Sequence, residues 1–127
     1  MSPTQRTLAE LKRRGWICQV VEKWNPHARI RQDLFGCIDI IAIVEGTLTT
    51  AVDVEAGSIT VEPFSCLLGI QATSGANHAS RREKMLSEPR AHSWMKAGGR
   101  LAIWSWAKKG PRGKRKTWQL REEAIAP

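Results

Sequence analysis

The chain lacks the marks of several protein classes. No apolar run approaches the roughly 18 residues that a membrane span needs, so no membrane partner is expected. The opening residues, Met1-Ser-Pro-Thr-Gln-Arg6, contain no apolar stretch of the signal-peptide kind, which makes the cytoplasm the expected compartment. Cysteine is scarce. Cys18, Cys37 and Cys66 are odd in number, widely spaced and free of any C-x-x-C pair, a poor basis for disulfides or structural zinc. Cys18 and Cys37 lie in apolar runs and read as small core residues. There are no internal repeats and no interdomain linker, and 127 residues suit one core, so residues 1–127 are expected to form a single domain.

Positive charge is missing from the middle of the chain. Residues 33–80 hold no Lys or Arg and six acids: Asp33, Asp39, Glu45, Asp53, Glu55 and Glu62. Residues 1–32 hold seven Lys/Arg against two acids, and residues 81–127 hold thirteen against four, for a net charge of +8. Basic surface attracts phosphate with salt-dependent, sequence-independent affinity. Acids between two basic arms are suited to hold a divalent metal beside that phosphate. Nucleic acid is therefore the favoured partner, and a solvated surface with a basic tail is the plainer alternative.

The elements follow from periodicity and breakers. Thr4 to Arg14 reads as a helix, with Pro3 in its first turn and Gly15 as its stop. Residues 16–22 read as a strand, broken by Asn25-Pro26, and residues 24–36 as a loop. Cys37 to Val44 has the near-continuous apolar run of a strand buried on both faces. Val52 and Val54 alternate with Asp53 and Glu55, and Ile59 and Val61 follow Gly57, which fits a β-hairpin. Leu67 to Thr73 is a further strand. Asn77 is placed to cap a helix through about Ser87, and Pro89 opens a second helix that ends at Gly98-Gly99. Arg100 to Trp106 reads as a strand, and Thr117 to Leu120 as a short last one across a basic hairpin at about 107–117. Strands, then helices, then returning strands predict an α/β (α+β) fold with a central mixed sheet flanked by helices.

Asp39 stands alone among Ile and Val. A carboxylate there is costly unless paired or metal-bound. Taken alone it fits a water-exposed strand end, a structural acid paired with arginine, or a metal ligand. Its context is Arg31-Gln-Asp-Leu-Phe-Gly-Cys-Ile-Asp39 before one strand, then Leu68-Gly-Ile-Gln-Ala-Thr73, then a helix rich in Arg and Lys.

In this layout, from the helix at 4–14 through the strand at 100–106, the chain resembles the PD-(D/E)XK nuclease superfamily. It looks most similar to small phage-encoded and Holliday-junction-resolvase-like members. The resemblance implies a restriction-endonuclease-like αβββαβ core and a Mg²⁺ or Mn²⁺ cofactor. Asp39 matches the first metal-binding acid of the family. Gln71 stands at the second-acid place, and Thr73 at the lysine place; both depart from the pattern. Gln71 offers an amide oxygen without charge, and Thr73 removes a cation. The implied metal ligands are Asp39, Gln71 and the backbone carbonyl of Ala72.

Other groups are candidates to compensate. Family members often add an acid from the first helix, which points to Glu10, although an ion pair with Arg14 is the simpler reading. Asp33 reads first as a turn residue and second as a metal ligand. Lys84 reads first as a solvated helix residue and second as a substitute for the missing lysine. Asp53 and Glu55 are read as solvent-exposed, with an acid pair as the alternative. His78 is expected at the surface, with a role as base as the alternative. Arg31, Arg81, Arg82 and Lys84 are candidate phosphate contacts, as are Lys108, Lys109, Arg112, Lys114, Arg115 and Lys116 along the basic hairpin. Trp104 and Trp106 share a strand face and are expected to pack on the helix carrying Trp94, rather than to stack on bases.

Three functions remain in view. The first is a metal-dependent DNA endonuclease acting on branched or structured DNA, with a homodimer as the expected assembly. The second is a nuclease-fold binding protein without catalysis. The third is a phage protein-interaction module.

Overall fold

The computed structural model describes residues 1–53 and 55–126, with residues 46–53 and 58–65 described as backbone only. Helix α1 spans Pro3–Arg13. A reciprocal capping box starts it: Ser2 Oγ accepts from the Gln5 N–H and Gln5 Oε1 accepts from the Ser2 N–H. Gly15, at φ +81°, turns the chain out of the helix. Strand β1 (Ile17–Val20) follows, then two short strands, β2 (Lys23–Asn25) and β3 (Ile30–Gln32), paired antiparallel. The expected loop at 24–36 therefore contains a small hairpin. The strand expected at 16–22 ends at Val20, before Asn25-Pro26, which instead ends β2 and begins its turn.

Strands β4 (Ile40–Asp53) and β5 (Ser58–Ser74) form one long antiparallel hairpin, with a bulge between Thr49 and Ala51. The expected hairpin is present, and both strands run further than the apolar runs indicate. Val54 and the side chain of Asp53 lie outside the described residues, and with them the expected alternation and acid pair; Glu55 is exposed. A short turn at Gly75–Asn77 leads into α2 (His78–Ser87), and α3 (Pro89–Lys96) follows. Asn77 precedes α2, but its side chain makes no capping hydrogen bond. Strands β6 (Arg100–Lys109) and β7 (Thr117–Ile125) complete the chain.

The main sheet has the order β1-β4-β5-β6-β7, with β5 and β6 parallel and the other pairs antiparallel. The architecture is a mixed five-stranded sheet with three flanking helices. Along the main sheet the order α1, β1, β4, β5, α2, β6 supplies the expected αβββαβ sequence of elements. No helix among the described residues is long and apolar enough to cross a membrane.

Period-two alternation divides the sheet residues between two cores. Under α1, Leu11 packs with Ile40, Ala42, Val44, Ile70, Ala102 and Trp104. Under α2 and α3, Met85 and Ala91 pack with Cys37, Ile38, Leu101, Ile103 and Ile125. Two expectations need correction. The run at 37–44 is not buried on both faces: its strand begins at Ile40, and Ile43 is 39% exposed on the second face. Trp104 and Trp106 do share a face, but α1 covers it; the Trp106 indole N–H donates to Thr7 Oγ1 at 3.0 Å. Trp94 belongs to the opposite core. Cys37 is fully buried, and burial pushes its thiol up to about 11.

Candidate functional site

Asp39 lies just before β4, with its backbone fixed on both sides. Its carbonyl accepts from the N–H groups of Val21 (2.8 Å) and Glu22 (3.2 Å), and its own N–H donates to the Ile70 carbonyl (2.9 Å). The side chain turns to the α2 face, 3% exposed. Its Oδ2 accepts from Gln71 Nε2 at 2.6 Å and from the Ala72 N–H at 2.9 Å.

Two further carboxylates converge on it. One oxygen each of Glu22, Asp33 and Asp39 lies within 4.8 Å of the others. Two unit charges at that spacing repel by on the order of 3 kcal/mol at an effective dielectric constant of about 20. The cluster answers this with a proton. Burial is the main cause that pushes the Asp39 carboxyl up to about 8, followed by its hydrogen bond with Asp33 and the charge of Asp33. The Ala72 N–H works in the opposite direction, and the charge of Glu22 adds to the rise.

Gln71 sits on β5, opposite Ile103 of β6, and is 3% exposed. Its Nε2 is used by Asp39, while its Oε1 is buried with no hydrogen-bond partner. An orphaned buried amide oxygen costs roughly 1–3 kcal/mol. The three carboxylates make a set of hard oxygen donors, the chemistry that Mg²⁺ or Mn²⁺ prefers, whereas Gln71 turns its Nε2 to Asp39. The Ala72 group shown in contact with Asp39 is its N–H, a donor and not a ligand.

The acids line a cleft of about 670 Å³, whose rim carries Arg31 from β3, Arg81 and Lys84 from α2, and Arg90 from α3. Arg31 pairs with Glu22 at 3.2 Å, and Arg90 pairs with Glu88. Since β5 and β6 are parallel, the cleft lies toward their carboxyl ends, where ligands usually bind in open α/β sheets.

The structure thus brings together Asp39, Gln71, Ala72, Arg31, Arg81 and Lys84 among the expected site residues, and it separates others. Glu10 does not line the cleft. Arg13 and Arg14 bind its carboxylate and, with the Arg13 hydrogen bond foremost, hold it down at about 2. Thr73 shares the Gln71 face but is 5% exposed, beside Ser105 in the β5–β6 register and outside the cleft lining. Arg82 turns to Glu123 instead. Lys108 and Lys109 end β6, and Arg112, Lys114, Arg115 and Lys116 lie in the exposed β6–β7 connection, none of them in the cleft.

His78 is not at the surface. It is 2% exposed, with Nδ1 at 2.7 Å from Ser105 Oγ and Nε2 at 2.9 Å from Glu123 Oε1. Both ring nitrogens are occupied, so His78 clamps the first turn of α2 to β6 and β7. Glu123 is held below the usual carboxylate range, first by His78 and then by Arg82.

Sequence reasoning missed Glu22 and Arg90 and placed Asp33 second to a turn. Glu22 enters because β1 runs antiparallel to β4, which sets the residues just after β1 beside those just before β4. The signal for Arg90 is weak: its guanidinium covers Gly36, where a Cβ would come within 2.7 Å of it.

Compared with protein-family models, with curated proteins and with solved structures, the chain matches none.

Proposed function

We propose that this protein is a divalent-metal-dependent DNA endonuclease of the PD-(D/E)XK type. The observation that carries the reading is three carboxylates converging in a cleft with four cationic side chains on its rim. Glu22, Asp33 and Asp39 are the groups that would hold Mg²⁺ or Mn²⁺, and Gln71 would join them once its amide turned its oxygen to the ion. Bound there, the ion supplies Lewis acidity and lowers the pKa of a coordinated water.

The remaining work falls to the chain. Arg31, Arg81, Lys84 and Arg90 bind and orient the phosphodiester. Asp39 would hold the ion as a carboxylate and so would release its proton to solvent, and activity is expected to rise with pH. Lys84 or Arg81, rather than residue 73, offsets negative charge developing on the phosphate. Residues 108–116 extend the phosphate track along flanking DNA. The reading carries with it a cytoplasmic location, and a homodimer where both strands of a duplex are cut.

A second reading is a binder of nuclease ancestry without catalysis, favoured by the uncharged Gln71 and by Thr73 in the lysine place. A protein-interaction module is the third. The test is cleavage of supercoiled plasmid and of a four-way junction with Mg²⁺ or Mn²⁺, wild type against Asp39→Ala. The nuclease reading expects metal-dependent nicking that the variant loses. Equal binding by both proteins with no cleavage by either supports the binder. Absence of salt-sensitive DNA binding leaves the interaction module.

A further inference from the structure

Five of the six tryptophans are engaged. Trp104 is buried, Trp106 donates to Thr7, and Trp94 donates to the Arg100 carbonyl. Trp16 packs on the core with the Arg14 guanidinium 5.3 Å from its ring centre. Trp118, though 44% exposed, carries the Arg6 guanidinium at 3.9 Å and the Lys108 ammonium at 5.5 Å. Trp24 differs. It is 56% exposed, and its indole has no ring, cation or hydrogen-bond partner among the described residues.

Its position gives that exposure a use. Trp24 lies on β2 directly opposite Arg31 of β3. Arg31 lines the cleft and pairs with Glu22, a member of the acid cluster. A continuous series of neighbours, Trp24, Arg31, Glu22, therefore runs from an open indole to the three carboxylates. The hairpin that presents it is braced at its turn. Asn25 Oδ1 accepts from the His27 and Ala28 N–H groups, and Arg29 holds φ +53°. The hairpin of residues 23–32 that carries the indole holds Lys23, Arg29 and Arg31, all exposed, and no acid, and Glu22 just before it is paired with Arg31. An open aromatic face within a positive surround is the recognition chemistry of a nucleobase whose own face is free.

We infer that Trp24 is a stacking platform for an unpaired nucleobase next to the cleft, and that the preferred substrate is DNA with a gap, flap or junction there rather than continuous duplex. This rests on the nucleic-acid part of the proposed function but not on catalysis. In a continuous duplex each base face is covered by its neighbours, so the indole has nothing to stack on. At a discontinuity one face opens and Trp24 covers it. Arg31 stays on the adjoining phosphate.

The test is fluorescence anisotropy in EDTA at fixed ionic strength, with three labelled DNAs: blunt duplex, the same duplex with a short gap, and the single strand. The proteins are wild type, Trp24→Ala, Trp24→Phe and Asp39→Asn. Wild type is expected to prefer the gapped and single-stranded DNAs. Trp24→Ala should weaken those two by roughly 5- to 160-fold, the range of one base–aromatic stack, and leave blunt duplex unchanged. Trp24→Phe should keep most of the preference. The inference is overturned if wild type shows no preference or binds none of the three. It is also overturned if Trp24→Ala weakens all three equally, or if it changes only self-association by sedimentation. Failure of the metal reading shows separately: binding with the Trp24-dependent preference intact, but no metal-dependent cleavage by wild type, sinks catalysis and leaves the stacking platform standing.

Discussion

The two faces of the sheet are built on different terms. Under α1 the buried residues, among those described, are apolar except for Thr7, whose hydroxyl accepts from Trp106. Under α2 and α3 the apolar cluster shares its face with Asp39, Gln71, Thr73, Ser105 and His78, all nine-tenths or more buried. Burying an uncompensated polar group costs a few kcal/mol, so such a row persists only where every member is satisfied or where something outside the chain completes it. The row divides at its middle. Toward β7, His78 has both ring nitrogens bonded. Toward β4, Asp39 retains a proton beside two other acids and Gln71 Oε1 has no partner. The first half is satisfied from within the chain; the second leaves a buried oxygen without a partner and is where the proposed cation would bind.

The comparison can be broken in several ways. The largest effect is expected on the apolar face. Trp104→Ala should lower stability in urea by about 3–5 kcal/mol while nicking per folded molecule is retained. Loss of nicking at unchanged stability would place function on the wrong face. On the satisfied half of the polar row, His78→Ala should cost about 1–3 kcal/mol by leaving the buried Ser105 hydroxyl without its partner, while Glu123 keeps Arg82. Its Mn²⁺ affinity should stay near wild type, and a large drop would mean that the two halves are not separate.

The pH response sharpens the same division. Asp39 has a folded-state pKa raised from 3.8 to about 8. Between those values the native state holds a proton that the unfolded chain has lost. Metal-free stability should therefore be full below the lower value and decline as pH rises toward the upper one. Asp39→Asn should flatten that decline, read as the wild-type-minus-variant difference so that Glu10 and Glu123, shifted the opposite way, cancel. With saturating Mn²⁺ the wild-type trend should reverse, since the bound ion selects the deprotonated carboxylate. The smallest effect is on the rim. Lys84→Ala should weaken DNA binding a few-fold and reduce the slope of log affinity against log salt by about 0.9, the value for one phosphate contact.

Much of this arrangement is legible in the sequence, and the illegible parts have physical reasons. Ser2, Pro3 and Gly15 bound α1 because caps and breakers are local chemistry. Asp39 stands out because a carboxylate in an Ile run is conspicuous wherever the strand lies. The period of two placed Trp104 and Trp106 on one face, but no period says which helix covers it; α1 does, where the helix carrying Trp94 was expected. Glu22 and Asp33 join Asp39 only through the pairing of β1 with β4 and the turn at 33–36, contacts made across the chain. The β2–β3 hairpin escaped notice because three-residue strands leave no periodicity to read. His78 reads as a surface histidine until the crossover from β5 lays the start of α2 over β6.

The most direct test of the account is calorimetric titration of Mn²⁺ into the protein near pH 7, in buffers of differing ionisation enthalpy, for wild type, Asp39→Asn and Glu22→Gln. The account predicts one ion per chain, release of a proton on binding to wild type, and loss of both signals in Asp39→Asn. Glu22→Gln should weaken binding without abolishing proton release. Failure of wild type to bind Mn²⁺, or binding by Asp39→Asn at wild-type affinity, would contradict it.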